Sequence, residues 1–428
     1  MSIRKRAVVL LSFFLSVAGG FSPFLPIGIG TGKIFAQANK LTDKELLAQL
    51  GQLNTITTAV PFLLIGPDSR AGGLGDAGVA TSPDPNSMHW NPSKYAFVKK
   101  QTGISLSYTP WLRALVPDIN LAYLSGYYKM KKNGTVAASL RYFSLGNITF
   151  TDIVGNTIGQ FRPNEFAFDV GYGTKLGDHF SGGGAIRYIH SDLTGKISVE
   201  GSQTHAGNSV AADICGFYQG DEIEISGKKS ILRFGANISN IGAKIAYSDR
   251  GEKDFIPINM KLGSSLHMQL DEYNEVQFTL DINKLLVPTP PLYETDGSGN
   301  PAKDPNTGEY IIKSGKDPDR SIVSGMVGSF SDAPGGFREE IREFNLGGGF
   351  EYWYAKQFAI RAGYFNEPST KGGRKFITLG LGLKYTVFGL DFAYLIPTEQ
   401  RHPLQNTLRF SLLFDFDAFK DGTTDEKK

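Results

Sequence analysis

Short segments of alternating apolar and polar residues run along most of this chain, and they constrain its fold more than any other feature. The segment Thr407–Asp417 reads T-L-R-F-S-L-L-F-D-F-D, with an apolar residue at every second position from Leu408 to Phe416. Val276–Asn283 repeats the alternation. Because successive side chains of a β-strand point to opposite faces, each segment has one apolar and one polar face. Many such strands predict an all-β fold, a transmembrane antiparallel β-barrel of the outer membrane.

About fourteen segments of the chain have this character. They centre on Gly103–Tyr108, Asn120–Lys129, Thr135–Leu145, Glu165–Lys175, Ser181–His190, Val210–Gln219, Ser230–Ser239, Asn259–Leu270, Glu275–Asn283, Asn345–Tyr354, Phe358–Phe365, Phe376–Tyr385, Gly389–Leu395 and Thr407–Asp417. Short connections mostly alternate with longer ones, of which 285–344 is the longest. Outer-membrane barrels have short periplasmic turns and long extracellular loops. The sequence therefore predicts a barrel over residues 101–417, with both ends in the periplasm and loop 285–344 outside the cell.

The N-terminus has the features of an exported protein. A basic start, Arg4–Arg6, precedes the apolar run Ala7–Val17, and a small-residue site follows at Ala36–Ala38. We therefore expect a signal peptide over residues 1–38. This segment carries four basic residues and no acidic one, so the formal net charge of +2 becomes −2 in the mature chain (2 − 4). That balance gives no support for a nucleic-acid partner.

Residues 39–100 lack the alternation of strands. Thr42 and Glu45 have the spacing of a capping box, which predicts a short helix. The segment Pro61–Pro92 that follows is rich in glycine and proline. Because irregular backbone at membrane depth needs protein or water to satisfy its polar groups, we expect this segment to form a plug inside the barrel. At the other end of the chain, residues 418–428 are expected to form a polar periplasmic tail.

The sequence predicts no catalytic, metal or cofactor site. Its six histidines show no H-x-x-x-H spacing, and the single cysteine, Cys215, is interpreted as a packed strand residue. The acidic stretch Glu294–Tyr310 lacks the spacing of a calcium loop, so a solvated extracellular loop is the favoured interpretation. His190 and Ser191 are neighbours on a strand and are expected to point to opposite faces, which excludes a nucleophile–base pair there.

The plug segment resembles a known family. The motif R-A-G-G-L-G-D-A-G at Arg70–Gly78, followed by N-P at Asn91, is similar to the opening of the long-chain fatty-acid transporter (FadL) superfamily. The fuller segment Pro61–Pro92 resembles the PorV (LptO) family, an outer-membrane component of the type IX secretion system of Bacteroidota. This resemblance implies fourteen strands and an N-terminal plug, in agreement with the independent strand count. The motif residues in this chain are Arg70, Gly72, Gly73, Gly75, Asp76, Gly78, Asn91 and Pro92.

The resemblance implies protein secretion without catalysis. Members of the family bind the C-terminal β-sandwich signal domain of secreted cargo at a large translocon barrel. They pass the cargo to a surface attachment complex, which includes a sortase-like protease and links the cargo to lipopolysaccharide. Apolar anchors dominate such interfaces, and the candidate cargo contacts here are Trp111, Leu112, Leu286, Val287, Leu292 and Tyr293. Insertion into lipid headgroups is an equally good interpretation of Trp111.

A FadL-like channel for the uptake of hydrophobic small molecules is the alternative function. It requires an apolar pocket, a movable plug and usually a kinked strand that opens the barrel wall. The triplets Gly182–Gly184 and Gly347–Gly349 are candidates for such kinks. Fold class alone does not choose between the two functions, because one barrel family hosts both. The fuller plug motif favours the secretion role.

Overall fold

Fourteen antiparallel strands close into a barrel in the computed structural model. The structure describes residues 53–416 except 114–115, 117, 131–133, 152–156, 194, 196–197, 200–201, 249–252, 297–299 and 400–401. The predicted signal peptide 1–38, the helix expected after Thr42 and the tail 418–428 lie outside these residues. The barrel strands are β1 (Thr102–Pro110), β2 (Asn120–Lys129), β3 (Thr135–Ser144), β4 (Asn164–Lys175), β5 (Phe180–Asp192), β6 (Gly207–Ile225), β7 (Lys228–Gly242), β8 (Asn259–Gln269), β9 (Asn274–Leu285), β10 (Phe344–Tyr354), β11 (Phe358–Asn366), β12 (Lys375–Tyr385), β13 (Phe388–Pro397) and β14 (Thr407–Phe416).

Each strand pairs with its neighbour in the sequence, and the first pairs with the last. At this seam Thr102 lies opposite Phe416, and Tyr108 lies opposite Phe410. Each of the fourteen predicted segments coincides with one strand, so the predicted fold class and strand number are confirmed. Within the described ranges, none of the helices has the length and apolar character needed to cross a membrane.

The alternation in the sequence separates the two faces of the wall. On β1, Leu106 and Tyr108 are exposed on the outside, whereas Ser105 and Ser107 are buried on the inside. An outward apolar band and a polar interior are what a lipid bilayer requires of a barrel. The polar interior can be buried because the N-terminal segment fills it.

The predicted plug lies inside the barrel. It contains two 3₁₀ helices, Pro61–Leu64 and Pro92–Phe97, and two short α-helices, α1 (Ser69–Gly72) and α2 (Ser87–Trp90). The carboxylate of Asp68 caps α1 by accepting a hydrogen bond from the Ala71 amide at 2.9 Å. These short elements and the irregular segments between them form a compact interior layer, and most of its residues are buried.

The two ends of the barrel differ in the length of their connections. One end has tight turns, such as 176–179 and 355–357, and the other carries longer loops. The loop between β9 and β10 holds a small hairpin, Leu292–Tyr293 with Ile312–Ser314, and two helices, α3 (Ile322–Gly328) and α4 (Phe337–Ile341). The remaining loop elements are the hairpin Ile148–Thr151 with Thr157–Phe161, the hairpin Ser198–Val199 with Ser202–Gln203, and the 3₁₀ helix Ser369–Lys371.

The main apolar core lies at the loop end, where the start of the plug meets the loops. Val60, Phe62 and Leu63 of the plug belong to it, together with Ile256 and Leu286 from two loops. All five side chains are almost fully buried. This core gives the loop end of the barrel a dry, packed interior.

Candidate functional site

Arg70 of the plug motif lies at the centre of a buried ion-pair network. Its Nε and Nη2 donate to the two carboxylate oxygens of Glu351 on β10, at 3.0 and 2.8 Å, and its Nη1 donates to Asp84 at 2.9 Å. Glu351 also accepts a hydrogen bond from Arg361 Nε at 2.7 Å, and Arg361 Nη1 donates to Asp391 at 2.7 Å. Because bidentate arginine–carboxylate pairs fix both distance and orientation, the network joins the plug firmly to β10, β11 and β13.

The second half of the motif is held by two further strands. Asp76 forms a partly buried ion pair with Arg409 of β14. The Asp281 carboxylate of β9 accepts hydrogen bonds from the backbone amides of Gly78 and Val79, at 2.7 and 2.9 Å. The plug is therefore tied to the wall by charge-assisted hydrogen bonds from several directions.

Gly75 shows why the motif is rich in glycine. Its φ is +69°, and a Cβ at this position would lie 2.4 Å from the carbonyl oxygen of Tyr364. The wall also has glycines at this contact. A Cβ on Gly363 would lie 2.2 Å from the Gly75 nitrogen, and one on Gly347 would lie 2.4 Å from the Gly75 oxygen. Plug backbone and wall backbone touch directly, which only glycine permits.

The other motif residues also make close contacts. Asn91 Nδ2 donates to the carbonyl of Gly216 at 3.0 Å, and the Asn91 side-chain oxygen accepts from the Ser93 amide at 3.1 Å. Pro92 begins the second 3₁₀ helix of the plug. Gly72 lies against Arg409, Gly73 lies against Gly380, and Gly78 lies against Trp90. The structure thus brings all eight predicted motif residues into the plug and against its surroundings.

Neither glycine triplet kinks the barrel wall. The pairing of β9 with β10 runs without a shift from Asn274–Tyr354 to Lys284–Phe344. The pairing of β5 with β6 is equally regular across Gly182–Gly184. Instead, Gly183 and Gly349 face the plug, where a Cβ would lie 3.0 Å from Ser93 and 2.9 Å from Leu74. Their role in this structure is to make room for the plug.

A cavity of about 530 Å³ lies between the plug and the short turns. Eight lysine or arginine residues and six aspartate or glutamate residues line it, among them Arg70, Arg233 and Glu351. Because it is costly to cover a charged group with an apolar one, such a lining does not suit a purely hydrophobic molecule. The apolar core occupies the other end of the interior.

The structure separates the six predicted cargo contacts. Trp111, Leu286 and Val287 belong to the apolar core and are only 9%, 3% and 1% exposed. Leu292 is 48% exposed, and Leu112 and Tyr293 are half-buried. The first three are buried because they pack with distant segments at the loop end. As cargo contacts they remain predictions, and in this conformation Leu292 is the most accessible of the six.

Four exposed apolar side chains on the long loop were not predicted from the sequence. Val323 and Val327 on α3 are 70% and 71% exposed, and Phe337 and Ile341 on α4 are 78% and 54% exposed. Each pair is four residues apart, so each lies on one face of its helix. We call these four residues the loop patch. The signal that could have revealed it is this spacing in I-V-S-G-M-V-G and F-R-E-E-I.

Buried ion pairs hold α4 in place. Lys284, at the end of β9, is fully buried and pairs with Glu343 and with Glu340, the latter at 3.4 Å. Lys371 pairs with Glu343 at 3.0 Å and with Glu339. Burial alone would raise the pKa of Glu339, but the hydrogen bond from Lys371 and one from the Gly335 amide hold that pKa below its usual range. The α4 half of the loop patch, Phe337 and Ile341, therefore stands on a fixed base.

Solved structures of other barrels resemble this fold. The Pseudomonas putida toluene transporter TodX shares 10% identity, with 85% of this chain and 98% of that chain covered and a TM-score of 0.45. The Ralstonia pickettii toluene transporter TbuX shares 11% identity, with 82% and 98% covered and a TM-score of 0.42. A Pseudomonas aeruginosa FadL homologue shares 12% identity, with 85% and 99% covered and a TM-score of 0.41. At these values the similarity carries no information on ligands.

The sequence itself is more informative about the family. No curated protein matches the chain. A family model described as "Type IX secretion system protein PorV" matches residues 48–292, more than half of the 428 residues. The matched region includes the whole plug motif and β1 to β9. The chain therefore belongs to the PorV family of outer-membrane β-barrel proteins of the type IX secretion system.

Proposed function

We propose that this barrel binds the C-terminal β-sandwich domain of secreted proteins at its extracellular loops and escorts them from the translocon to the cell-surface attachment complex. Membership of the PorV family supports a place in the secretion system. The translocon barrel, the sortase-like protease of the attachment complex and lipopolysaccharide are the partners that this role requires.

The observation that carries the proposal is the combination of a filled lumen with an exposed apolar loop surface. A conducting barrel needs a path through its interior, whereas here a plug held by ion pairs to the wall occupies that path. A docking protein needs accessible apolar side chains, and the loop patch supplies four, of which the two on α4 are held by buried ion pairs. The working surface is therefore outside the barrel, on its loops.

The loop patch can supply useful binding energy. Full burial of one Val, Ile or Phe side chain contributes about 1.5–3 kcal/mol. Binding also costs translational and side-chain entropy, so only part of the sum appears as affinity. Leu292, exposed on the hairpin of the same loop, would extend the contact.

Replacement of patch residues by aspartate tests this proposal. The double variants Val323→Asp/Val327→Asp and Phe337→Asp/Ile341→Asp would be compared with Lys313→Asp, which adds an aspartate at an exposed position of the same loop. The readout is the amount of a purified cargo C-terminal domain captured by the detergent-solubilised barrel. We expect at least tenfold weaker binding in both patch variants, with unchanged heat-modifiable migration. Equal capture by patch variants and control would contradict the proposed surface.

A FadL-like uptake channel remains the alternative, and the cavity provides the observation that bears on it. A channel for hydrophobic molecules needs an apolar pocket, but the cavity beside the plug is lined by charges of both signs. Purification from the native outer membrane distinguishes the functions. Bound secreted proteins that share a C-terminal domain would support the escort role, and bound fatty acids with no protein partner would support the channel.

A further inference from the structure

The charged cavity at the short-turn end faces the periplasm, because outer-membrane barrels place their short turns there. Its lining comes from the ends of many strands, including Gln219 on β6, Gln277 on β9 and Asp415 on β14. With a volume of about 530 Å³, it falls in the size range of pockets that hold ligands. The escort role proposed above uses the opposite end of the barrel and leaves this cavity without a function.

Positive charge exceeds negative charge in the lining. Eight basic and six acidic side chains give a formal charge of +2 (8 − 6). Three lysines at the mouth are paired with acids, as in the contacts of Lys229 with Glu222 at 2.9 Å and of Lys384 with Asp415 at 3.3 Å. Deeper inside, the acids are shared with Arg70 and Arg361. Lys99 and Arg233 take part in none of these ion pairs.

Arg233 is the buried one of these two cations. Its side chain is 7% exposed, and among the described residues none offers it a carboxylate within ion-pair distance. It donates instead to amide oxygens, from Nε to Gln219 at 3.0 Å and from Nη1 to Gln277 at 3.5 Å. Arg361, which also lines the cavity, has no acceptor for its Nη2 among the described residues. A buried guanidinium without a carboxylate is costly unless an anion joins it.

The cavity also offers apolar contacts beside these cations. Phe97, Ile231, Trp353 and Leu413 line it together with the charged groups. A small inorganic anion would leave these side chains unused and most of the volume empty. A peptide segment that carries acidic side chains on an extended backbone matches both the apolar surface and the cations Lys99 and Arg233.

We propose that this periplasmic cavity is a docking site for an acidic peptide segment of a periplasmic protein. Arg233 binds a carboxylate of the segment, and the exposed Lys99 and Lys100 attract it from solution by long-range electrostatics. The barrel then has a recognition site at each end, one for extracellular cargo and one for a periplasmic partner. The second site does not depend on the first.

Fluorescence anisotropy with the detergent-solubilised full chain tests the proposal. The probe is a fluorescein-labelled hexapeptide of alternating Glu and Ala, and its Gln and Lys counterparts serve as comparison peptides. We expect saturable binding of the Glu peptide only. Arg233→Gln should weaken it about tenfold, because the variant loses the charge-assisted hydrogen bond to the peptide carboxylate. Lys99→Gln/Lys100→Gln should weaken it about threefold and reduce its salt dependence.

Controls assign the binding to this end of the barrel. Lys303→Gln removes an exposed charge from the extracellular loop and should leave binding unchanged, and heat-modifiable migration checks that each variant is folded. Absence of saturable binding, or equal affinity for the three peptides, would show a solvent-filled vestibule only and overturn the proposal. Binding that appears only after removal of residues 417–428 would make the chain's own tail the occupant and would also overturn it.

Discussion

Arg70 in the plug and Glu351 on β10 form a bidentate ion pair inside the barrel, with N–O distances of 3.0 and 2.8 Å. The two residues are 281 positions apart in the chain. Glu351 is shared with Arg361, so one carboxylate neutralises parts of two buried guanidinium groups. This relationship fixes the N-terminal segment to the C-terminal half of the barrel.

Removal of that carboxylate should destabilise the protein strongly. In the Glu351→Gln variant, the ion pairs of Arg70 with Asp84 and of Arg361 with Asp391 remain. Both arginines lose the carboxylate that they share. Loss of one partner of a buried ion pair costs about 3–5 kcal/mol. The midpoint of thermal unfolding in detergent should fall clearly relative to wild type. Glu309→Gln, which changes an exposed carboxylate, is the control, and an equal midpoint in both variants would refute the network's role.

Gly75→Ala should be far more harmful than alanine at another glycine of similar conformation. Gly75 and Gly308 have φ values of +69° and +74°, but only Gly75 has backbone atoms where a Cβ would lie. We expect about 1 kcal/mol of destabilisation in Gly308→Ala from backbone strain. Gly75→Ala adds a clash with the wall, for a total of about 3 kcal/mol or more. Urea titrations of the two variants measure the difference, and equal losses would mean that plug and wall do not touch.

Deletion of the plug should open the barrel. A variant that lacks residues 61–91 loses α1, α2 and the ion pairs of Arg70 and Asp76 with the wall. A fourteen-strand lumen without a plug is wide enough to hold a water-filled pore. Planar bilayer recordings should show a conductance that the full chain lacks. A silent bilayer from a variant with normal heat-modifiable migration would argue against this segment as the seal.

Lys284→Met should loosen α4 without unfolding the barrel. The substitution keeps most of the buried side-chain volume but leaves Glu340 and Glu343 without this cation, while Lys371 still holds Glu343. Tryptic cleavage at Arg338 and Arg342, which are both exposed, should become several-fold faster because local opening precedes proteolysis. Lys313→Met is the matched control. Unchanged cleavage rates would show that the ion pairs do not fix the helix.

The barrel was predictable because its signal is local. Alternation such as that of Ser105 to Tyr108 recurs in many of the strands, and it needs no knowledge of distant residues. The plug was predictable because irregular backbone rich in glycine and proline cannot face lipid, so at membrane depth it must lie inside the barrel. Family resemblance added the identity of the motif residues, and the structure places each of them against neighbouring residues.

The loop surface was not predictable in the same way. Trp111, Leu286 and Val287 look like surface anchors in the sequence, because an apolar residue in a loop serves an interface or a core equally well. Their burial depends on Val60 and Phe62, which lie far away in the chain. The i, i+4 pairs of the loop patch were overlooked because helices of five to seven residues give only one repeat of the helical period.

One strand, β14, both closes the barrel and binds the plug. β14 closes the barrel against β1, and its Arg409 holds Asp76 from a distance of 333 residues along the chain. The plug precedes every barrel strand in the chain, whereas its ion-pair partners Glu351 on β10 and Arg409 on β14 lie in the last third. Complete seating of the plug therefore requires the same strand that closes the wall. A chain that ends before β14 lacks both Arg409, which binds the plug, and the strand that closes the barrel.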